Sequence, residues 1–334
     1  VNERIAVLGA GSWGTALAIH CARVGHDVRL WGRDEALMRT IASTRRNARY
    51  LPDVALDPAV LATASLEEAL AGAPIAIAAV PSHGMRRAVS DARPFLAPGA
   101  VLVSATKGLE TGSLDRMSRV IADAAPGHPI AVLSGPSFAA EVARGMPTAV
   151  VVASTDPSAT ERVQERLKGP AFRLYASDDV PGVEFGGALK NVIAIAAGVV
   201  EGLGIGHNAM AALITRGLVE MSRLACAEGS RRETLAGLSG LGDLVLTCTG
   251  DLSRNRHVGI ELGRGRALAD ILAKTRMVAE GVRTTRAALE LGARHGVELP
   301  LAAQMAAVLD GQTSARNAVE ALMLRPQRPE NDQK

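Results

Sequence analysis

Aromatic side chains are scarce: 4 Phe, 2 Trp and 2 Tyr in 334 residues. Proteins that stack bases combine aromatic platforms with a concentrated basic stripe. Here 37 Lys and Arg face 34 Asp and Glu, a formal charge of +3 spread over the chain. No nucleic-acid partner is expected. Cysteine is equally sparse. Cys21, Cys226 and Cys248 are odd in number and lack CxxC spacing, which reads as reduced thiols in a cytoplasmic protein. The 7 His form no HExxH-like cluster, so no protein-bound metal is expected. Long apolar runs are missing too. Residues 75–80 (IAIAAV) and 192–200 (VIAIAAGVV) fall short of the about 20 residues that span a bilayer, and no integral membrane segment is expected. Residues 1–25 show no signal-peptide h-region or cleavage site. What remains is 48% hydrophobic and 21% charged, the balance of a globular chain.

The first half alternates short β-branched runs with helical patterns. Strands are expected at 4–8, 27–31, 75–80, 101–104, 130–133, 148–153 and 172–175. Several are continuously apolar, as strands buried on both faces must be. The first helix is expected to run to Val24 and stop at Gly25. A helix near 66–71 carries Ser65 and Glu68 in capping-box spacing. Such alternation implies a mostly parallel sheet with helices on both faces. The pattern changes at Asp178-Asp179-Val180-Pro181. Beyond it only helical periodicity and Gly or Pro breaks are found. The expected domains are 1–180, 181–324 (all-α) and a flexible polar tail, 325–334 (RPQRPENDQK).

Gly9-Ala10-Gly11-Ser12-Trp13-Gly14 is a GxGxxG motif. It follows an expected strand and opens an expected helix, the context that distinguishes a dinucleotide site from a glycine-rich turn. Gly9 permits the tight turn, Gly11 lets the backbone approach a pyrophosphate, and Gly14 lets helix and strand pack closely. The first domain is therefore read as α/β, Rossmann-type. NAD-specific versions place Asp or Glu at the end of the second strand for the ribose 2′-OH. Here that strand ends Leu30-Trp31-Gly32-Arg33-Asp34, with no carboxylate before Arg33. An Arg there suits a 2′-phosphate, so the cofactor reading is NADP or NAD, leaning to NADPH. Arg45 and Arg46 stand close downstream, either as further phosphate ligands or as a solvated basic loop.

Isolated charges come next. Lys190 is the only charge between Glu184 and Glu201, and Asp243 the only one between Glu233 and Asp251. An unpartnered buried charge costs several kcal/mol, so two opposite ones are expected to meet. A structural ion pair and a proton-transfer Lys with a tunable pKa both fit this pattern. Lys107 follows the strand at 101–104, at the carboxyl end where open α/β sheets bind ligands. A plain surface lysine fits as well. Gly135-Pro136-Ser137-Phe138-Ala139 reads as a helix start with Ser137 as N-cap. Ser253-Arg254-Asn255 reads as another, capped by Ser253. A guanidinium in a helix's first turn suits a phosphate, although capped surface helices are commoner.

The residues resemble one family: the bacterial NAD(P)-dependent glycerol-3-phosphate dehydrogenases. The resemblance is carried by GAGSWGTALA (9–18), NARYLP (47–52), TKGLE (106–110) and SGPSFAAEVARGMPTA (134–149). It continues through ALKNVIAIAAGVVEGLG (188–204), GLSGLGDLVLTC (237–248), SRN (253–255) and VAEGV (278–282). It implies that Ser12, Trp13 and Arg33 contact the cofactor, with Tyr50 near its adenosine end. Lys107 would lie between cofactor and substrate. Gly135 and Ser137 would line the substrate site, and Ala139 would touch the cofactor. Lys190 would transfer the proton to the developing alkoxide, with Lys107 and Asp243 organising it. Asp243, Ser253, Arg254 and Asn255 would hold the substrate, and Arg254, Val278 and Glu280 would border the cofactor. The implied reaction is reversible reduction of dihydroxyacetone phosphate to sn-glycerol 3-phosphate, for glycerophospholipid synthesis. A homodimer is expected because helical second domains in such enzymes often pair.

Two other classes bear on the same motifs. A related hydroxy-acid dehydrogenase would keep the glycine motif and a catalytic Lys without needing Ser253-Arg254-Asn255. A non-catalytic NADP-binding sensor would keep residues 9–14 without needing Lys107, Lys190 and Asp243 together.

Overall fold

The computed structural model describes residues 2–274, 279–327 and 329–330. The chain divides into two compact units. Unit 1 is Val1–Glu110 with Asp115–Val180, and unit 2 is Thr111–Leu114 with Pro181–Lys334.

Unit 1 carries ten strands: β1 (Arg4–Leu8), β2 (Asp27–Trp31), β3 (Arg46–Asn47), β4 (Leu51–Ala55), β5 (Val60–Thr63), β6 (Ile75–Ala78), β7 (Val101–Ser104), β8 (Ile130–Ser134), β9 (Thr148–Ala153) and β10 (Phe172–Ser177). Its helices are α1 (Ser12–Arg23), α2 (Glu35–Thr44), α3 (Leu66–Leu70), α4 (Met85–Ala92), α5 (Met117–Ala124), α6 (Ala139–Arg144) and α7 (Pro157–Leu167). Eight strands form one sheet in the order β10-β9-β8-β7-β6-β1-β2-β5. Every neighbour pair is parallel except β8 with β9. The α/β Rossmann-type, mostly parallel reading therefore stands. The strand order reverses at β1, whose two neighbours are β2 and β6. A crevice opens outside the carboxyl ends at such a switch point.

Alternation along buried strands builds two cores. Ile5 and Val7 of β1 join Ile75 and Ile77 of β6 and the inner face of α1 on one side. Ala6 and Leu8 join Ala76 and Ala78 with Met85, Val89, Met117 and Ile121 of α4 and α5 on the other. Both faces are apolar, so these strands read as continuous apolar runs.

Several boundaries differ from expectation. β6 stops at Ala78, while β8 and β10 run on to Ser134 and Ser177. The edge strand β5 and the small β3–β4 hairpin were not anticipated. LPDVA and VLAT are short, and their pairing is decided by neighbours in space. At α3, Ser65 Oγ accepts from Glu68 N at 3.2 Å, the first half of the capping box. The reciprocal half is relayed: Thr63 Oγ1 donates to the Glu68 carboxylate at 2.6 Å and accepts from Ser65 N at 3.0 Å. α1 ends as expected, with Gly25 left-handed just past its last turn.

The elements from Val180 onward are all helices among the described residues: α8 (Val180–Gly202), α9 (His207–Ala227), α10 (Arg232–Ala236), α11 (Asp243–Thr249), α12 (Arg254–Gly263), α13 (Leu268–Lys274), α14 (Glu280–His295), α15 (Pro300–Leu309) and α16 (Ala315–Met323). α8 joins the apolar stretch at 192–200 to earlier residues in one 23-residue helix. By length and composition it could cross a bilayer, yet the whole of its apolar window is buried within the protein. The reason is packing. A Cβ on Gly198 would lie 2.0 Å from Arg256 O, and one on Gly259 1.9 Å from Ile195 O. α8 and α12 thus meet backbone to backbone, which only glycine at the crossing allows.

Candidate functional site

In unit 1 the chain leaves β1 through Gly9, whose φ of +121° lies in glycine territory and whose Cβ would strike Ala79 O at 2.6 Å. A Cβ on Gly14 would meet Gly9 O at 1.9 Å. These two glycines are dictated by the turn and by its packing. Gly11 is different: nothing lies within 4 Å of where its Cβ would be. It caps α1 without a side-chain hydrogen bond, and no acid occupies the first turn. The first amide donors and the positive end of α1 are thus offered to an anion by backbone alone. The Trp13 indole Nε1–H is buried without a hydrogen-bond partner. Open space above Gly11, an uncapped helix start and that orphaned donor fit the phosphates of a dinucleotide.

Asn47 was quoted within NARYLP without a role of its own, and the structure supplies one. Fully buried, it donates to Ala10 O at 2.9 Å and Thr15 Oγ1 at 2.8 Å, and accepts from Tyr50 N at 3.2 Å. It fastens the Tyr50 segment to the glycine turn. Arg33 is exposed just past β2. Arg45 is committed elsewhere: its guanidinium donates to the carbonyls of Val60, Leu56 and Asp57.

The ends of β7 and β8 bring three expected residues together. Lys107 Nζ donates to Gly135 O at 2.8 Å and to Ser137 Oγ at 3.4 Å, and Ser137 Oγ donates to Gly135 O at 2.9 Å. Ser137 is not the N-cap of α6. Phe138 holds that position without a side-chain bond, because the Ser137 hydroxyl turns back to Gly135. Ala139 is the first residue of α6.

In unit 2, Lys190 and Asp243 meet. Lys190 Nζ lies 2.5 Å from Asp243 Oδ1 and 2.7 Å from Thr247 Oγ1. The two charged residues are 6% and 1% exposed. Thr247 Oγ1 also donates to Asp243 O at 2.6 Å, one turn back on α11. Sequence reasoning missed Thr247, although its i+4 spacing from Asp243 placed it on the same helix face. Neighbouring Cys248 is a neutral thiol, pushed up to about 12 by burial against the pull of Lys190 and Arg256.

Ser253 caps α12, accepting from Arg256 N at 3.2 Å. Arg254 is the first helical residue. Desolvation lowers its guanidinium from the ordinary value, and the Glu280 carboxylate opposes that. Asn255 is buried and largely engaged. It donates to Asn191 Oδ1 at 2.9 Å and accepts from Gly281 N at 3.0 Å. It therefore links α8, α12 and the start of α14, next to Lys190, Arg254 and Glu280 respectively. Val278 lies outside the described residues.

Comparison with known proteins settles the family. Residues 4–160 match the family described as NAD-dependent glycerol-3-phosphate dehydrogenase N-terminus, and residues 179–320 its C-terminus. The chain belongs to the NAD-dependent glycerol-3-phosphate dehydrogenase family. It is 54% identical over 337 residues to the glycerol-3-phosphate dehydrogenase (NAD(P)+) of Acidobacterium capsulatum, covering 98% of this chain and 100% of that one. The enzyme of the same name from Geobacter sulfurreducens is 52% identical over 328 residues, 97% of this chain and 98% of that one. The crystal structure of glycerol-3-phosphate dehydrogenase from Coxiella burnetii superposes with a TM-score of 0.93 at 41% identity, covering 97% of this chain and 99% of that one.

Proposed function

We propose that this family member interconverts dihydroxyacetone phosphate and sn-glycerol 3-phosphate with NAD(P)H, with the NADP form preferred. The observation that carries the reading is the buried Lys190–Asp243–Thr247 cluster, placed beside a helix start that offers Arg254. When bound, a nicotinamide cofactor would supply a hydride to the substrate's central carbon. Lys190 gives a proton to the oxygen that becomes the hydroxyl. Asp243 and Thr247 hold the Lys190 amine so that it is aimed before the reaction. Fixed positive charge at a developing alkoxide needs no reorganisation and is a large catalytic term. Arg254 and Ser253 at the start of α12 take the remote phosphate, whose binding energy positions the carbonyl. Asn255 supports that grip by locking α12 to α8. Gly135, Ser137 and Lys107 are assigned to substrate. Ser12, Trp13, Arg33, Tyr50 and Ala139 are assigned to the cofactor, together with Glu280 and Val278. The reading also takes the working form as a cytoplasmic homodimer, and light scattering tests the dimer.

The deciding assay follows NADPH oxidation with dihydroxyacetone phosphate and with unphosphorylated dihydroxyacetone. Turnover is expected with the first and far less with the second. No turnover with either, alongside intact NADPH binding, would favour a sensor.

A further inference from the structure

Five arginines follow β2 within a short stretch: Arg33, Arg39, Arg45, Arg46 and Arg49, of which Arg39 pairs with Glu35 one turn back on α2. The cofactor reading leans to NADP because no acid precedes Arg33, and the structure gives a reason for that absence. A Cβ on Gly32 would lie 2.6 Å from Met38 Sδ and 3.0 Å from Ala10 Cβ. A side chain at this position would crowd Ala10 and displace the flexible end of Met38.

The arginines then separate by what each already holds. Arg45 is left-handed at the end of α2 and spends its guanidinium on three backbone carbonyls. It is a brace between α2 and β5. Arg46 donates to Pro52 O at 3.3 Å within the β3–β4 hairpin. Arg33 is exposed and makes no hydrogen bond or ion pair among the described residues. Arg49 is also exposed, and it is anchored at two points. Its Nη1 lies 3.2 Å from Asp34 Oδ2, and its guanidinium stands 5.2 Å from the centre of the Tyr50 ring.

That anchoring brings Arg49 to the end of β2. Asp34 directly follows Arg33, and its other oxygen caps α2 by accepting from Leu37 N at 3.0 Å. Both oxygens of Asp34 are engaged, so its charge is offset, and the next carboxylate, Glu35, pairs with Arg39. Behind Arg49, Asn47 ties the Tyr50 segment to the glycine turn. An exposed ion pair contributes little to stability, and a surface ring contact only slightly more. Their effect is to restrict a long side chain that would otherwise roam.

We infer that Arg49, held by Asp34 and Tyr50, is a specificity-determining residue that joins Arg33 in gripping a ribose 2′-phosphate. The ligand class is a phosphate monoester dianion on a nucleotide. Two guanidinium forks suit its three terminal oxygens. The inference rests on the NADP preference proposed above.

The test is calorimetric and independent of turnover. Adenosine 2′,5′-bisphosphate and 5′-AMP are titrated into the full-length protein. Wild type is expected to bind the bisphosphate more tightly. Arg49→Ala should reduce that preference by roughly fivefold or more, as loss of a charge-assisted contact predicts, while 5′-AMP binding stays within about twofold. The salt dependence of bisphosphate binding should weaken in parallel. Arg49→Gln, which retains most of the stem, should behave likewise if the alanine variant folds poorly. Arg46→Ala should leave the preference intact. The inference is overturned if Arg49→Ala weakens both ligands equally, which would make it a support for Tyr50 and the adenine. It is also overturned if the preference survives Arg49→Ala or is lost with Arg46→Ala. A wild type indifferent to the 2′-phosphate would remove the NADP preference and this inference together. Reduction of dihydroxyacetone phosphate by NADH would then still stand.

Discussion

Unit 1 and unit 2 handle charge in opposite ways. The unit 1 cradle is built from backbone: an uncapped α1, open space over Gly11, and arginines on the outside. The unit 2 cluster is built from side chains taken out of water, Lys190 and Asp243 with Thr247 between them. Backbone amides can hold a phosphate without desolvating any ionised side chain. A buried ion pair repays its desolvation only when geometry and hydrogen bonds are complete. The first region should therefore tolerate change at constant fold where it is open, as at Gly11, and the second should not.

Lys190→Met probes this contrast most severely. Turnover should fall by roughly 10²–10⁴-fold, the size of a general-acid contribution, while NAD(P)H binding measured by fluorescence changes little. Retention of more than about a tenth of wild-type turnover at saturating substrate would remove Lys190 from the mechanism.

Arg254→Lys keeps the charge and removes the fork. The kcat/KM for dihydroxyacetone phosphate should drop by on the order of 1.5–3 kcal/mol in transition-state terms. Turnover of unphosphorylated dihydroxyacetone, where measurable, should barely move. Equal losses for both substrates would reassign Arg254 to the cofactor or to the helix start.

Gly11→Ala and Gly14→Ala sharpen the comparison inside unit 1. The Gly11 Cβ meets open space, so the melting temperature should hold while NADPH binding weakens by roughly tenfold or more, the loss of one charge-assisted contact. The Gly14 Cβ would overlap Gly9 O, so that variant should lose stability as well. If both variants lose stability to the same degree, Gly11 is structural and the open-cradle reading fails.

A smaller effect tests buried charge in unit 2 away from the cluster. Glu220 on α9 accepts from Leu301 N at 2.7 Å and Ala302 N at 3.4 Å, at the start of α15. Burial pushes its carboxyl up from 4.5 to about 7, against the pull of those amides. The folded state therefore holds this proton more tightly than the unfolded chain. Its contribution is present below the ordinary value of 4.5 and is lost as pH rises through about 7. The shift corresponds to at most about 3 kcal/mol. Melting of wild type and Glu220→Gln from pH 5 to 8 should show the wild type losing ground to the variant. Parallel curves would mean that Glu220 is ionised throughout.

Thiol accessibility is the mildest probe. Cys226 is exposed, whereas Cys21 and Cys248 are buried, and burial pushes both buried thiols up to about 12. A maleimide should label one thiol quickly in the native protein and three after unfolding. Rapid labelling of Cys248 would show that the Lys190 cluster opens in solution.

The sequence by itself determined whatever depends on near neighbours or on simple period. β1, β7 and β9 were legible because strands buried on both faces read as continuous apolar runs, and β2 because DVRLW alternates polar with apolar residues. The Ser253 cap was legible because it acts three residues along the chain. The meeting of Lys190 and Asp243 was legible for a different reason, since two isolated opposite charges in apolar surroundings have few other ways to be buried. Only the tertiary structure decided the rest. Ser137 looked like a cap and instead turns back to Gly135 beside Lys107. Asn255 was placed at a helix start to hold substrate and is enclosed between Asn191 and Gly281. Arg45 and Arg46 stood together as candidate phosphate ligands, yet Arg45 spends its guanidinium bracing β5. The physical reason is common to all of them. A polar side chain satisfies its hydrogen bonds with whatever the fold brings within about 3 Å, and partners distant in sequence leave no local pattern.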